Sequence, residues 1–178
     1  LDGNRYESFE NLFVENDQAS QIAGFTSFTS EALELALLYP ETWAAEESAA
    51  DGFAFFTSDN ETTEAAVARL SFPDAVSNED SDTQAIQYAQ DLFSSFDNFE
   101  LASDIAPFVL GGFDGREETF TLEQNGEPYL GGVVAATVKP GVTFAFMYLS
   151  KESDFEADVE LFNQMLDSFD ILVSGVSK

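Results

Sequence analysis

The sequence predicts an α+β domain in which an antiparallel β-sheet has helices packed on its faces. Two segments have apolar residues at the three- and four-residue steps of a helix, and several others alternate with the period of a strand. Neither an internal repeat nor a Pro/Gly/Ser-rich linker divides the chain. Because each helical segment has only one apolar stripe, each helix is expected to bury that stripe against a sheet.

A group of strands opens the predicted domain. Residues 25–39 are expected to be extended with a break near Ser30, and their apolar side chains alternate as in a half-buried strand: Leu33, Leu35, Leu37 and Tyr39. Pro40 ends that strand because proline has no amide hydrogen for a sheet ladder. The other predicted segments of this group are strands 53–56 and 66–72 and the loop 59–64.

The first predicted helix covers residues 81–96. Ser81 and Gln84 form a capping-box pattern at its start, and the apolar stripe follows: Ile86, Ala89, Phe93 and Phe96. Asp97-Asn98 ends the helix, and residues 99–106 are predicted to be extended.

A three-stranded antiparallel meander is predicted next. Asn125-Gly126 is the strongest short hairpin signal that a sequence offers, and Pro140-Gly141 suits a type II turn. In the middle strand, Gly131-Gly132 predicts a β-bulge or a close approach of another group to the backbone. The predicted strands are residues 116–122, 129–138 and 142–149.

A second helix is predicted after the meander. Ser153-x-x-Glu156 is its capping pattern, and its apolar stripe consists of Phe155, Val159, Phe162, Leu166 and Phe169. Residues 170–173 are expected to form a short edge strand or a tail on the sheet. Residues 1–24 are predicted to be an N-terminal tether or a short amphipathic segment, and residues 25–178 a single domain.

The composition excludes several kinds of chemistry. The 178 residues contain 34 Asp and Glu against 6 Lys and Arg, a net charge of −28, and neither His nor Cys. A nucleic-acid partner is excluded because its binding requires Lys and Arg. Without Cys and His there are no disulfides, thiolate zinc sites, cysteine nucleophiles or histidine bases. No apolar stretch approaches the ~20 residues that a transmembrane helix needs.

The excess of carboxylates has two physical interpretations. An acidic surface is typical of adaptation to high salt, where ions screen its self-repulsion, and it also suits a basic partner or divalent cations. The carboxylates are scattered along the whole chain, which favours the first interpretation. We therefore expect added salt to stabilise the protein.

No residue is predicted to be catalytic, to bind a cofactor or to hold a metal, and the protein is predicted not to be an enzyme. A serine nucleophile would need a lysine base, but no Ser-x-x-Lys or Gly-x-Ser-x-Gly pattern occurs. Gly111-Gly112 is interpreted as a bend and not as a phosphate loop. Among the carboxylates, Glu41 beside Trp43 is the first to inspect, with Trp43 as a core residue and Glu41 exposed as the simpler interpretation.

Two further patterns leave alternatives open. Asn78-x-Asp80-x-Asp82 begins like a calcium loop, but Thr83 and Ala89 occupy the positions of its glycine and its bidentate glutamate. We interpret it as a solvated loop whose Ser81 and Asp82 cap the helix, and calcium binding there stays undecided. Phe108 and Phe113 are either core residues or an exposed binding patch.

The order and spacing of four segments resemble one family. They are the strand leading into Tyr39-Pro40-Glu41-Thr42-Trp43, the helix 81–96, Gly112-Phe113-Asp114-Gly115-Arg116 before the meander, and the helix end Met165-Leu166-Asp167-Ser168-Phe169. Over residues 25–173 the chain resembles the PsbP-like proteins, whose α/β/α sandwich is shared with the Mog1 and DcrB-type proteins.

The resemblance implies a non-catalytic accessory or protein-binding role outside the cytoplasm, in the periplasm or at the cell surface. Because the chain begins at Leu1, we expect a processed N-terminus. An exported protein of this kind is also expected to be anchored to a membrane through a lipid tether upstream of Leu1. A protein partner is expected, and the sequence predicts neither its identity nor an oligomeric state. The alternatives are a carboxylate-dependent enzyme acting on a glycan-like neutral substrate, which requires a pocket with two facing acids, and an intracellular Mog1-like scaffold of a halophile.

Overall fold

Two antiparallel sheets and two helices make up residues 22–172, the part of the chain that the computed structural model describes. The predicted tether or amphipathic segment lies almost entirely outside these residues. The smaller sheet contains β1 (Phe25–Ser30), β2 (Leu35–Pro40) and β11 (Asp170–Ile171). The larger sheet contains β3 (Ala44–Ser48), β4 (Phe53–Thr57), β5 (Thr63–Leu70), β6 (Asp97–Leu101), β7 (Ala106–Leu110), β8 (Phe113–Gln124), β9 (Glu127–Lys139) and β10 (Val142–Lys151). The helices are α1 (Asn78–Phe93) and α2 (Phe155–Asp167).

The larger sheet is built around the predicted meander. Its strand order is β3–β4–β5–β10–β9–β8–β6, with β7 paired to the other half of β8, and every pairing is antiparallel. Asn125 and Gly126 connect β8 and β9 with positive φ angles of 55° and 79°, as the hairpin signal predicts. The smaller sheet has the order β1–β2–β11.

The larger sheet lies between two layers, and the side chains of β10 show which elements form each of them. Phe144 and Phe146 point to one face, where they pack with β2 and with the apolar stripe of α2. Ala145 and Met147 point to the other face and pack under α1. Helices therefore bury their stripes against opposite faces of one antiparallel sheet, which confirms the predicted α+β class.

The smaller sheet corrects the interpretation of β2 as a half-buried strand. Leu35 and Leu37 are buried as expected, but Ala36 and Leu38 on the opposite side are buried as well. β2 is the central strand of its own sheet, paired with β1 and with β11 from the far end of the chain. β3, which was not predicted, pairs with β4 at the edge of the larger sheet.

Both helices begin at residues other than the predicted caps. α1 starts three residues earlier, because the Ser77 hydroxyl accepts a hydrogen bond from the Asp80 amide at 3.1 Å. Ser81 instead lies inside the helix and is buried. α1 also ends at Phe93, so Phe96 lies beyond the helix. α2 begins after Asp154, whose side chain makes no capping hydrogen bond.

Gly131 and Gly132 of β9 lie beneath aromatic rings. The ring of Phe120 lies over Gly131, and a Cβ added to Gly132 would collide with the ring of Tyr148. Both aromatic residues are the direct cross-strand partners of these glycines, and the register passes through both positions without a shift. Of the two predicted alternatives, the close approach is therefore the observed one, and it lets two aromatic side chains lie flat on the sheet.

Candidate binding groove

α1 covers only part of its face of the larger sheet. The helix packs on β9 and on the neighbouring strands β8 and β10. The seven strands that lie side by side make the sheet about 29 Å wide, at ~4.8 Å per pairing. A helix with its side chains is only ~10–12 Å across. The face of β3, β4 and β5 that lies beside α1 is consequently left without a helix above it.

An open groove of about 200 Å³ occupies this uncovered region. Its floor is formed by β4, β5 and β10, and its wall by the last two residues of α1, Leu92 and Phe93, and by Phe96 in the turn after it. The side chains that line it include Phe55, Glu64, Ala66, Leu92, Phe93 and Met147. Most of them are apolar, so the groove is a hydrophobic surface within a strongly acidic protein.

Two large apolar side chains of the groove face solvent. Phe55 is 45% exposed and Leu92 is 44% exposed, one on each side of the groove. Phe53 and Phe55 are stacked with their ring centroids 5.6 Å apart, and Phe53 also lies 6.4 Å from the ring of Tyr88 on α1. The strand and the helix thus hold the aromatic floor in place, so the groove exists before any ligand arrives.

The charged groups around the groove are all negative. Glu64 is the one carboxylate that lines it, and burial together with the nearby charge of Glu61 raises the pKa of Glu64. A second hollow of about 410 Å³ shares Phe55 with the groove and is bordered by three acids: Glu46, Asp59 and Glu61. Neither lining contains Lys or Arg. The glycan-enzyme alternative requires two facing acids, and this groove supplies one.

Trp43 and Glu41 do not form a cleft. Trp43 is buried, and its ring lies 6.2 Å from that of Phe162 on α2 in an edge-to-face arrangement. Glu41 is exposed, and its backbone amide donates to the Gly24 carbonyl. Trp43 is therefore a core residue, as in the simpler of the two interpretations.

Asn78, Asp80 and Asp82 lie inside α1 and not in a loop. The Asp80 carboxylate accepts the Val76 amide at 2.9 Å, whereas Asp82 is buried and accepts the Thr137 hydroxyl at 2.6 Å. The interpretation of a solvated loop whose Ser81 and Asp82 cap the helix was therefore wrong, because Ser77 caps the helix. Within residues 22–172 no group of three or more acidic side chains is arranged to hold a metal ion.

We expect the Asp82→Asn variant to be more stable than the wild type at pH 7. Burial, the largest cause, raises the pKa of Asp82, so the folded protein favours the neutral carboxyl. The stability that protonation provides is complete below the unfolded pKa of ~3.9 and is lost as pH rises through the folded pKa. Urea denaturation at pH 7, 5 and 4 should show a gain that shrinks as the pH falls. A variant less stable than the wild type at pH 7 would contradict this.

Phe108 and Phe113 are half-buried and pack against the larger core cluster, so they do not form the exposed patch that was considered. Gly111 and Gly112 between them have φ angles of 58° and 86° and form the tight turn between β7 and β8. Two exposed apolar side chains, Phe55 and Leu92, line the groove instead. The sequence contains a signal for Phe55: residues 53–56 include three Phe, more than one buried face of a strand requires.

Solved structures with this fold include the cyanobacterial PsbP (CyanoP) of Synechocystis sp. PCC 6803, at 16% identity and a TM-score of 0.59, covering 84% of this chain and 94% of that one. The Ran-binding protein Mog1p of Saccharomyces cerevisiae has 9% identity and a TM-score of 0.57, with 83% and 95% covered. LpqN, which is involved in cell envelope biogenesis of Mycobacterium tuberculosis, has 12% identity and a TM-score of 0.56, with 86% and 88% covered. No family model and no curated protein matches the chain.

The layers and the matches together define an α+β sandwich with an antiparallel central sheet. More specifically, the chain has the PsbP/Mog1-like fold, which confirms the resemblance seen in the sequence. Among the described residues, no helix is long and apolar enough to cross a membrane.

Proposed function

We propose that the protein is a non-catalytic accessory domain that holds a protein partner in the groove beside α1, and that it acts outside the cytoplasm. The observation that carries this proposal is the pair of exposed apolar side chains, Phe55 and Leu92, on a preformed groove of an otherwise acidic surface. Exposing such side chains together costs solubility, and contiguous apolar surface of this kind is typical of interaction sites.

Two of the structural neighbours support the proposal by what they do. Mog1p is a Ran-binding protein, so this fold can serve protein recognition. LpqN is involved in cell envelope biogenesis, which is compatible with an extracytoplasmic role for this chain. The glycan-enzyme alternative requires two facing acids, whereas the groove is lined by one carboxylate.

Site-specific photocrosslinking in the source cells tests the proposal. A photoreactive phenylalanine analogue at position 55 or 92 is expected to capture the same partner protein. Matched control positions are Leu101 and Val109, which are somewhat more exposed, at 52% and 59%, but lie on the distant strands β6 and β7. The analogue at these positions should not capture that protein. Equal capture at all four positions, or none at 55 and 92, would contradict the proposal.

The same positions allow a loss-of-binding test. Phe55→Thr retains a strand-forming residue and Leu92→Gln retains a helix-forming one, so each should change the free energy of unfolding by no more than about 1 kcal/mol. We expect the double variant to lose at least tenfold in affinity for the captured partner. The Leu101→Gln and Val109→Thr double variant should bind as the wild type does, measured by surface plasmon resonance.

A further inference from the structure

The groove has the position and width of a missing helix. Two helices that pack side by side have axes ~8–10 Å apart, and strands are spaced by ~4.8 Å. Since α1 lies over β9, a neighbouring helix two strands away would lie over β5. There the small side chain of Ala66 leaves room above the sheet, while Phe55 on β4 and Leu92 on α1 stand on either side.

The part of the sheet beneath α1 also presents small side chains to the helix above it. Ala135 on β9 and Ala145 on β10 are buried beneath the helix, and they allow its backbone to approach the sheet. Ala66 continues this row of small side chains onto β5, whereas Ala68, the next residue on the same face, is fully buried. A second helix could therefore approach β5 closely at Ala66.

The charges around the groove indicate which kind of helix would bind there. Glu64 lies in the groove, and Glu46, Asp59 and Glu61 border the hollow next to it. Residues 22–172 contain four cations. Arg69, Arg116 and Lys151 each form an ion pair with a carboxylate elsewhere, Glu34, Glu79 and Glu127, and Lys139 is the last residue of β9. An occupant that brought carboxylates would face uncompensated repulsion, whereas Lys or Arg would complement the border.

Building on the proposed function, we infer that the occupant is a cationic amphipathic helix of the partner protein, lying alongside α1 over β5. Its apolar stripe contacts Phe55, Ala66 and Leu92, and its Lys or Arg residues lie toward the acidic border. β4 has five residues and is about 17 Å long, so the contact extends over about 11 helical residues at 1.5 Å each. The partner contributes a segment of about three turns.

Fluorescence anisotropy with three labelled 14-residue peptides tests this inference. The first has Leu at positions i, i+3, i+4 and i+7 and Lys along one flank. The second replaces those Lys residues with Glu, and the third replaces a central residue of the first with Pro, which disfavours the helix. We expect the first peptide to bind at least tenfold more tightly than the other two. Its affinity should fall as NaCl is raised from 0.15 M to 1 M.

Variants of the protein connect the peptide to the groove. The Phe55→Thr and Leu92→Gln double variant should bind the Lys peptide at least tenfold more weakly than the wild type. The Leu101→Gln and Val109→Thr double variant should bind it with unchanged affinity. The Glu61→Gln and Glu64→Gln double variant should bind it more weakly and with a smaller dependence on salt.

Different results with these peptides would contradict either the charge or the helical form that we infer for the partner segment. Equal binding of the Glu peptide would exclude a cationic partner, and equal binding of the Pro peptide would indicate an extended one, such as a strand added at β3. If none of the peptides binds while position 55 still captures a protein in cells, the partner is not a helix of this kind and the proposed function stands. If crosslinking fails as well, both proposals are wrong.

Discussion

Replacing Phe162 with alanine is expected to lower the free energy of unfolding by about 3–5 kcal/mol. Phe162 is 1% exposed. Its ring lies 4.7 Å from that of Tyr148 on β10 and 6.2 Å from that of Trp43. The truncation would leave a cavity between α2 and the larger sheet, where these rings hold one another in place.

Urea denaturation followed by fluorescence measures this loss, and Trp43 is the sole tryptophan, so the signal reports on the same cluster. Leu161→Ala is the matched control, because Leu161 lies next to Phe162 on α2 but is only half-buried. Its loss should be clearly smaller. Equal losses for the two variants would mean that α2 is not anchored through its predicted stripe.

That stripe was predictable because it depends only on periodicity. Phe162 and Leu166 recur at the spacing of a helix and are buried, and Phe169 is buried too, although it lies two residues beyond the end of α2. The starting residue of α1 was not predictable in the same way. Ser77 and Ser81 both precede suitable helical sequence, and the choice depends on Asp82, which must reach Thr137 on a strand 55 residues later. A local pattern contains no information about that contact.

The smaller sheet could not be predicted from local sequence patterns for a similar reason. Ala36 pairs with Asp170, and this pairing closes a sheet from the two ends of the domain. β2 is a central strand with neighbours at both of its edges, and side chains on both of its faces are buried, although its sequence has the alternation of a half-buried strand. Alternation indicates a strand, whereas burial depends on which other layers reach it.

The candidate groove depends on the position of α1 and not on any motif. Phe55 and Leu92 belong to a predicted strand and a predicted helix, and either could have been buried. They are exposed because α1 lies over β9 and leaves β4 and β5 uncovered. The sequence contained the excess of Phe in residues 53–56, but only the packing shows that this excess forms a surface.

Raising NaCl from 0.15 M to 1 M is expected to raise the melting temperature by at least about 4 °C, which for a domain of this size corresponds to more than ~1 kcal/mol. With a net charge of −28, the folded chain holds like charges close together. The distance over which they repel falls from ~8 Å to ~3 Å across this range of salt. Differential scanning calorimetry over a salt series measures the effect.

A variant with fewer charges separates screening from the general strengthening of apolar burial by salt. Replacing Glu31, Glu41, Glu100 and Asp104, all exposed, with the corresponding amides should reduce the slope of melting temperature against salt. Sucrose acts by exclusion from the protein surface, so it should stabilise both proteins equally. Identical salt slopes would mean that the carboxylates do not limit stability. A larger gain in CaCl₂ than in NaCl of equal ionic strength would instead assign the acidity to divalent cation binding.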